Sequence, residues 1–312
     1  MELLLIGMSR FARRRVLPAV SSMSEIDTIN IASSHATPES VGHLPKIGQI
    51  YADWREALEV TRPGLIYISL VNSEHAAAVH HALERGHHVV VDKPGLLDLS
   101  TTEEMVELAR ASSLVVAEAT CYAFHPLFPF MRSLDPDTTK IVAVFTPPVP
   151  AGDFRHDRRK GGGALLDTGP YMASLGRVLW DEEPEQVGVV VGDRTADGLE
   201  ISYSALAGYP GGKTIVGHFG FTTTYQNTLR MMSKNAVMEV ERPFSVLPDM
   251  VTGIKIQSNG RTHERNVPPA DSMKIFLYRV IEAVNKGSRE FDEFLLSDAR
   301  TLDRLRQEAS KA

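Results

Sequence analysis

A lysine follows one of the apolar runs of this sequence where the run ends, in the tripeptide Asp92-Lys93-Pro94. The run from His88 to Val91 has the composition of a buried strand, and the carboxyl end of such a strand faces the crevice in which open α/β sheets bind ligands. An ammonium group there can donate a proton to a bound oxygen. Lys93 is therefore the first candidate for chemistry, against the alternative of a solvated surface charge.

A glycine triplet, Gly161 to Gly163, precedes a helical pattern that carries two more reactive groups, Asp167 and Tyr171. Side chains four residues apart share a helix face, so a single helix over Ala164 to Trp180 would present the carboxylate and the phenol together. Pro170 lies between them and is tolerated best in a first helical turn, which leaves the register open. Asp167 as a helix cap and Tyr171 as a packed aromatic ring are the alternatives.

The first apolar run, Leu3 to Ile6, leads into Gly7-Met8-Ser9-Arg10-Phe11-Ala12, a degenerate form of the glycine-rich dinucleotide loop. Glycine permits the tight turn, a small serine permits approach to a pyrophosphate, and alanine permits close packing of the following helix. An ordinary strand-to-helix turn is the alternative. The predicted cofactor-binding residues of this loop are Gly7, Ser9, Arg10, Phe11 and Ala12.

The second apolar run ends at Ser33-Ser34-His35, 21 residues after Ala12. An NAD enzyme usually places an acidic residue here for the ribose 2′-hydroxyl. Two hydroxyls and an imidazole can instead accept a 2′-phosphate, so the sequence favours NADP(H) over NAD(H). Turn and N-cap chemistry ahead of Thr37-Pro38 is the alternative for the two serines.

The elements that must position these groups follow two patterns. Up to about residue 135, short apolar runs alternate with helical patterns, which predicts a doubly wound parallel Rossmann sheet. The predicted strands are Leu3–Ile6, Thr28–Ala32, Gln49–Tyr51, Leu65–Leu70, His88–Val91 and Leu114–Ala117. Helices are predicted over Glu74–Arg85 and Thr102–Ala111, the second with Ser100 as its N-cap.

After about residue 137 the runs follow one another directly, which predicts an α+β domain with a mostly antiparallel open sheet. Its predicted strands are Ile141–Phe145, Gln186–Val191, Glu200–Ala207, Lys213–Phe221, Asn235–Glu241 and Ile254–Ser258. Two helices, Ser272–Asn285 and Glu293–Gln307, are predicted to close the chain. We expect a nucleotide-binding domain over 1–120 and a substrate-binding and oligomerisation domain over 121–312, with the final helices able to pack on the first domain.

Composition narrows the class of protein. The 312 residues carry a formal charge of −6, so no overall basic field attracts nucleic acid or an anionic membrane. Cys121 is the single cysteine, which excludes an intramolecular disulfide and a cysteine-rich metal site, and the histidines show no zinc-ligand spacing. We expect a cytoplasmic protein without a metal or a membrane anchor.

Together, Asn72-Ser73-Glu74-His75, Asp92-Lys93-Pro94 and the run from Gly161 to Tyr171 resemble, in order and spacing, the motifs of the glucose-fructose oxidoreductase and inositol dehydrogenase (Gfo/Idh/MocA) family. The resemblance spans nearly the whole chain. Within that family, the runs Phe11 to Ala19 and Phe219 to Asn227 are similar to those of NADP-dependent nucleotide-sugar 3-ketoreductases. Asp92 stands where the family has glutamate, and Tyr171 where it usually has histidine.

The resemblance implies roles for particular residues. Lys93, Tyr171 and Asp167 are the implied catalytic residues, with Lys93 or Tyr171 as proton donor to a sugar carbonyl. The implied cofactor-binding residues are Leu70, Asn72, His75, Asp92, Lys93 and Pro94. They add to Ser33, Ser34 and His35 in the turn after the second apolar run. The implied substrate-binding residues are Lys93, Tyr122, Arg155, Asp167, Tyr171 and Tyr225, among which the Arg155 guanidinium suits a diphosphate.

The sequence therefore predicts an NAD(P)-dependent oxidoreductase that acts on a sugar or nucleotide-sugar and forms a homodimer or homotetramer through its C-terminal sheet. Two other classes stay open. One is a catalytically silent dinucleotide-binding regulatory protein of the same fold, and the other is an interaction protein that uses the open sheet face. Retention of Lys93, Asp167 and Tyr171 together favours the enzyme.

Overall fold

The structure is a computed structural model that describes residues 1–311. The chain divides into two compact units. The first contains Met1–Ala119 and Met273–Leu296, and the second contains Thr120–Ser272 and the chain from Ser297 onward. No helix within residues 1–311 has the length and apolar character needed to span a bilayer.

Six parallel strands form the sheet of the first unit in the order β3-β2-β1-β4-β5-β6. The strands are β1 (Glu2–Ile6), β2 (Thr28–Ala32), β3 (Ile47–Tyr51), β4 (Leu65–Ile68), β5 (His88–Val91) and β6 (Val116–Glu118). The helices between them are α1 (Leu17–Ser21), α2 (Pro38–Val41), α3 (Trp54–Val60), α4 (His75–Glu84) and α5 (Leu99–Ala111), and a π-helical turn over Ala12–Val16 leads into α1.

The central strands of this sheet are apolar on both faces because helices cover both faces. Leu3, Leu4, Leu5 and Ile6 of β1 are all buried. Because the strands are parallel, the carboxyl ends of β1, β2, β4 and β5 lie along one edge, and the strand order reverses at β1. A doubly wound sheet binds its ligand at this edge.

The second unit contains an eight-stranded sheet in the order β14-β13-β12-β11-β7-β10-β9-β8, antiparallel except for the pair β7 and β10. Its strands are β7 (Lys140–Phe145), β8 (Gln186–Val191), β9 (Ser202–Tyr209), β10 (Lys213–Gly220), β11 (Asn227–Met232), β12 (Ala236–Glu241), β13 (Thr252–Ser258) and β14 (Arg261–Val267). Its helices are α6 (Leu127–Leu134), α7 (Ala164–Asp167) and α8 (Gly169–Trp180). Of the last two helices, α9 (Ser272–Lys286) belongs to the first unit except for Ser272, and α10 (Glu290–Ala309) passes from the first unit into the second after Leu296.

One face of the eight-stranded sheet forms the core of the second unit with α6, α8 and the end of α10. The approach of α8 to the sheet depends on Gly176, since a Cβ atom there would lie 2.1 Å from the ring of Tyr209. On β9, buried Tyr203, Ala205 and Ala207 alternate with more exposed residues, as expected for a sheet with one covered face.

The structure confirms the predicted fold class, a parallel Rossmann sheet followed by a mostly antiparallel sheet. Two local predictions are wrong. Helix α5 begins one turn earlier than expected and is capped by Asp98, whose carboxylate accepts a hydrogen bond from the Thr101 amide at 2.8 Å, so Ser100 is not the N-cap. The single helix predicted over 164–180 is two helices, which meet at Thr168.

Candidate functional site

The loop after β1 is built for close approach of backbone. Gly7 has φ +87°, and a Cβ atom there would lie 2.2 Å from the carbonyl oxygen of Ser69 at the end of β4. The hydroxyl of Ser9 accepts a hydrogen bond from the Ala12 amide at 3.0 Å, so Ser9 caps the helical turn that follows. Phe11 is exposed beside it. This end of the helix presents free amides and a positive dipole, which suit a pyrophosphate.

The turn after β2 carries the predicted ribose-reading residues. The amide of His35 donates to the Ser33 hydroxyl at 3.2 Å, and the Ser34 hydroxyl lies 3.2 Å from Nδ1 of His35. The exposed side chain of Arg13 reaches this turn, with Nη2 3.5 Å from the His35 carbonyl and Nε 3.2 Å from the Met8 carbonyl. Sequence reasoning missed this arginine because it lies far from the turn in the chain. The sequence feature that could have identified it is the position of Arg13 directly after Ala12, in the first helical turns after the glycine turn.

The lysine turn after β5 is fixed through its acidic neighbour. The carboxylate of Asp92 accepts hydrogen bonds from the hydroxyls of Tyr67 (2.6 Å, to Oδ1) and Ser69 (to Oδ2). Burial raises the pKa of Asp92, while these two hydrogen bonds and the nearby charges of His75 and Lys93 act in the opposite direction. Because both oxygens of Asp92 accept from neighbouring hydroxyls, Asp92 fixes the turn in which the partly exposed Lys93 lies.

Two residues after β4 that the family resemblance implies as cofactor-binding residues, Asn72 and His75, are buried. His75 is fully buried, and its ring bridges two backbone carbonyls, Nδ1 to Pro94 at 2.9 Å and Nε2 to Leu70 at 3.2 Å. Asn72 is buried as well, in the short 3₁₀ turn that precedes α4. The ring therefore holds the segment after β4 against the lysine turn, and the site residues of the first unit lie in one row of strand ends.

In the second unit, Asp167 forms an ion pair with Arg155, the residue predicted to bind a diphosphate. Nε of Arg155 lies 2.9 Å from Oδ1 of buried Asp167, and its Nη1 lies 3.1 Å from Oδ1 of Asp153. The glycine triplet makes this arrangement possible: the Gly163 amide donates to the Arg155 carbonyl at 2.9 Å, and a Cβ atom at Gly162 would lie 2.6 Å from the same oxygen. Two carboxylates face one guanidinium, so Asp153, Arg155 and Asp167 together carry a net negative charge.

Tyr171 lies in the first turn of α8, where Pro170 is accommodated without loss of a helical hydrogen bond. Its ring packs among aromatic rings at centroid distances of 4.9 Å to Phe145, 5.1 Å to Phe244 and 5.5 Å to Tyr122. Desolvation, followed by the negative charge of Asp167, raises the pKa of Tyr171 well above 10. The phenol therefore holds its proton at neutral pH, as a proton or hydrogen-bond donor must.

The other two predicted substrate-binding tyrosines differ in exposure. Tyr122 is buried, and its hydroxyl lies 2.6 Å from the Ser174 hydroxyl of α8, so this ring supports the packing around Tyr171. Tyr225 is exposed, and its oxygen accepts a hydrogen bond from Nδ2 of Asn227 at 3.3 Å. Of the two, only Tyr225 has an exposed side chain.

Comparison with known proteins points to one family. Residues 1–120 match the model of the GFO/IDH/MocA oxidoreductase family with an NAD-binding Rossmann fold, and residues 137–238 match the GFO/IDH/MocA C-terminal domain.

Two curated relatives and one solved structure align over nearly the whole chain. The dTDP-3,4-didehydro-2,6-dideoxy-alpha-D-glucose 3-reductase of Streptomyces violaceoruber is 29% identical over 91% of this chain and 85% of its own length. A D-xylose 1-dehydrogenase (NADP(+)) of Haloferax volcanii is 27% identical over 98% of this chain and 96% of its own. A 3-ketoreductase from Actinomadura kijaniata, solved with NADP and TDP-benzene, superposes with a TM-score of 0.91 at 25% identity, covering 98% of this chain and 97% of that one.

Proposed function

Since the chain belongs to the GFO/IDH/MocA oxidoreductase family, we propose that it is an NADPH-dependent reductase of a keto group on a sugar or nucleotide-sugar. The observation that carries the proposal is the row of strand ends in the first unit. There the glycine turn, the 33–35 turn and Lys93 leave neighbouring parallel strands at the same edge. A cofactor bound along that edge would place its adenosine ribose at the turn after β2, its pyrophosphate at the glycine turn after β1 and its reactive ring toward Lys93 after β5.

The residues of this row fit NADP(H). Gly7 lets the loop turn tightly against the Ser69 carbonyl, where a Cβ atom would collide. The helical turn capped by Ser9 directs its N-terminal amides and positive dipole end toward a pyrophosphate. The Arg13 guanidinium and the hydroxyls of Ser33 and Ser34 meet at the turn where a ribose 2′-phosphate would lie, and no carboxylate stands at 33–35 to repel it.

NADPH, when bound, supplies the hydride. Lys93 is the proposed donor of a proton or a hydrogen bond to the carbonyl oxygen of the substrate, and the fixing of its turn at Asp92 and at Pro94 supports this role. Tyr171, which keeps its proton through desolvation, is the alternative proton donor that the family resemblance implies. Asp167 disfavours ionisation of that phenol by its charge, and Arg155 holds Asp167 in place.

The substrate is proposed as a pyranose that carries a keto group, with a nucleoside diphosphate as its activating group. The 3-reductase and 3-ketoreductase relatives support this choice, whereas the D-xylose dehydrogenase supports a free sugar. The net negative charge of Asp153, Arg155 and Asp167 works against the predicted contact of Arg155 with a diphosphate. We therefore propose that Arg155 acts on the substrate through Asp167.

Turnover tests the proposal. Purified protein is incubated with NADP⁺ and a panel of dTDP-hexoses and free aldoses, and reduced cofactor is followed by its absorbance. We expect oxidation of one class of sugar, with losses of roughly 10²- to 10⁴-fold in kcat for Lys93→Met and a smaller loss for Tyr171→Phe. Tyr171→Phe should leave the cofactor affinity unchanged, and Lys93→Met should still bind the cofactor. Tight cofactor binding without turnover of any sugar, in either direction, would favour the catalytically silent alternative.

We also propose, as part of this function, that the protein forms a homo-oligomer through the open face of the eight-stranded sheet. We further propose that it resides in the cytoplasm, because one cysteine in 312 residues suits a reducing compartment. Val142, Val216 and Leu206 are register neighbours on β7, β10 and β9, and all three are exposed. Such an apolar row marks an interaction surface. Light scattering that gives the mass of a monomer would contradict the assembly.

A further inference from the structure

Four hydrogen-bonding groups form a continuous line across the carboxyl ends of β1, β4 and β5. The Ala12 amide donates to Ser9, the hydroxyls of Ser9 and Ser69 lie 2.7 Å apart, and Ser69 donates to Asp92. Ser69 itself is buried. The line therefore runs from the helical turn after the phosphate loop, through a buried centre at Ser69, to the partly buried residue beside Lys93.

The direction of each hydrogen bond in this line follows from proton counting. A serine hydroxyl has one proton, and that of Ser69 is directed at the carboxylate of Asp92. The proton between the two serines must therefore come from Ser9, whose oxygen accepts from the Ala12 amide. Every donor points toward Asp92, and hydrogen bonds aligned in this way strengthen one another in a medium of low dielectric constant.

Tyr67 provides an internal comparison. Its hydroxyl donates to the other oxygen of Asp92 at 2.6 Å, whereas the hydroxyl that lies against Ser9 is that of Ser69. Loss of either hydroxyl removes one hydrogen bond from the same carboxylate. Loss of the Ser69 hydroxyl also breaks its contact with Ser9 of the phosphate loop.

We propose that Ser69 is a positioning residue that couples the phosphate loop to the lysine turn, so that NADPH binding at one end orders Lys93 at the other. The proposal rests on the proposed function, since it assumes that NADPH binds along this edge. Ser69 touches neither reacting group and acts through Ser9 and through Asp92.

The test compares Ser69→Ala with Tyr67→Phe in the full chain, and it measures the Kd of NADPH by fluorescence titration together with kcat and KM for the sugar. A hydrogen bond contributes about 0.5–1.5 kcal/mol net, which corresponds to roughly 2- to 12-fold in an equilibrium constant. We expect Ser69→Ala to weaken NADPH binding by roughly 5- to 10-fold and to lower kcat. Tyr67→Phe should lower kcat while NADPH affinity stays within about twofold of wild type.

A double-mutant cycle that combines Ser9→Ala with Ser69→Ala adds a second readout. If the two serines act as one line, Ser9→Ala and Ser69→Ala together should weaken NADPH binding by less than the product of their separate effects. Thermal melting monitors folding. If Ser69→Ala does not fold, Ser69→Cys replaces it, because the thiol keeps a weak donor at this place and should give a smaller loss of NADPH affinity in the same direction.

The outcomes separate the two proposals. Equal NADPH affinities for Ser69→Ala (or Ser69→Cys) and Tyr67→Phe, with a wild-type protein that binds and turns over, would overturn the coupling and leave the proposed function intact. A wild-type protein that binds no NADPH would overturn the proposed function and the coupling with it.

Discussion

A buried ion pair holds α8, the helix that carries Tyr171, to the C-terminal helix. Nε of Arg177 lies 2.8 Å from Oδ1 of Asp298, Nη2 lies 2.5 Å from Oδ2, and the side chains are only 11% and 7% exposed. Removing one partner of such a pair leaves an uncompensated buried charge and costs roughly 3–5 kcal/mol. We therefore predict that Arg177→Met lowers the free energy of unfolding by about that amount.

Urea unfolding followed by tryptophan fluorescence measures this loss, since Trp180 lies on the same helix one turn away and donates to the Thr138 carbonyl at 3.1 Å. The matched control is the double variant Arg177→Met with Asp298→Leu. It removes both charges and should recover most of the loss, because apolar groups of similar volume replace a buried pair at little cost. A loss below about 1 kcal/mol in the single variant would place the pair with surface ion pairs and refute the reasoning.

Two further predictions concern the first unit. Burial lowers the pKa of His87 from 6.5 to about 4, so its neutral ring favours the folded state above pH 6.5 and this contribution is lost as the pH falls toward 4. Urea unfolding at pH 7 and pH 4.5 should show wild type losing roughly 2–3 kcal/mol more than His87→Asn, whose side-chain oxygen can still accept from the Gly64 amide; equal losses would contradict this. Gly7→Ala should weaken NADPH binding by at least about tenfold, because its Cβ atom would collide with the Ser69 carbonyl; unchanged affinity in a titration would show that the loop does not hold the phosphates.

Much of the fold follows from patterns that a single sequence contains. The strands β1, β2, β4 and β5 are buried on both faces, so their apolar runs mark them directly. Strand β14 was missed because six of its seven residues are exposed and its charged side chains do not alternate with apolar ones. Strand β11 was missed as well, although its buried residues do alternate.

The site was predictable in its motifs and not in its contacts. Lys93 and the glycine turn follow strands, and strand ends can be read from the sequence. The reach of Arg13 to the 33–35 turn, and the line from Ser9 through Ser69 to Asp92, join residues brought together only by the order of strands in the sheet. The break between α7 and α8 was also hidden, since Asp167 and Tyr171 fit the spacing of one continuous helix.

The most direct test of the account is a fluorescence titration of the purified protein with NADPH and with NADH, repeated on Arg13→Gln and on Ser33→Asp. We predict tighter binding of NADPH than of NADH by at least about tenfold, because a charge-assisted pair with the 2′-phosphate contributes roughly 1.5–3 kcal/mol. Both variants should lose that preference while they still bind NADH. Equal affinities for the two nucleotides in wild type, or no binding of either, would contradict the assignment of this edge as an NADPH site.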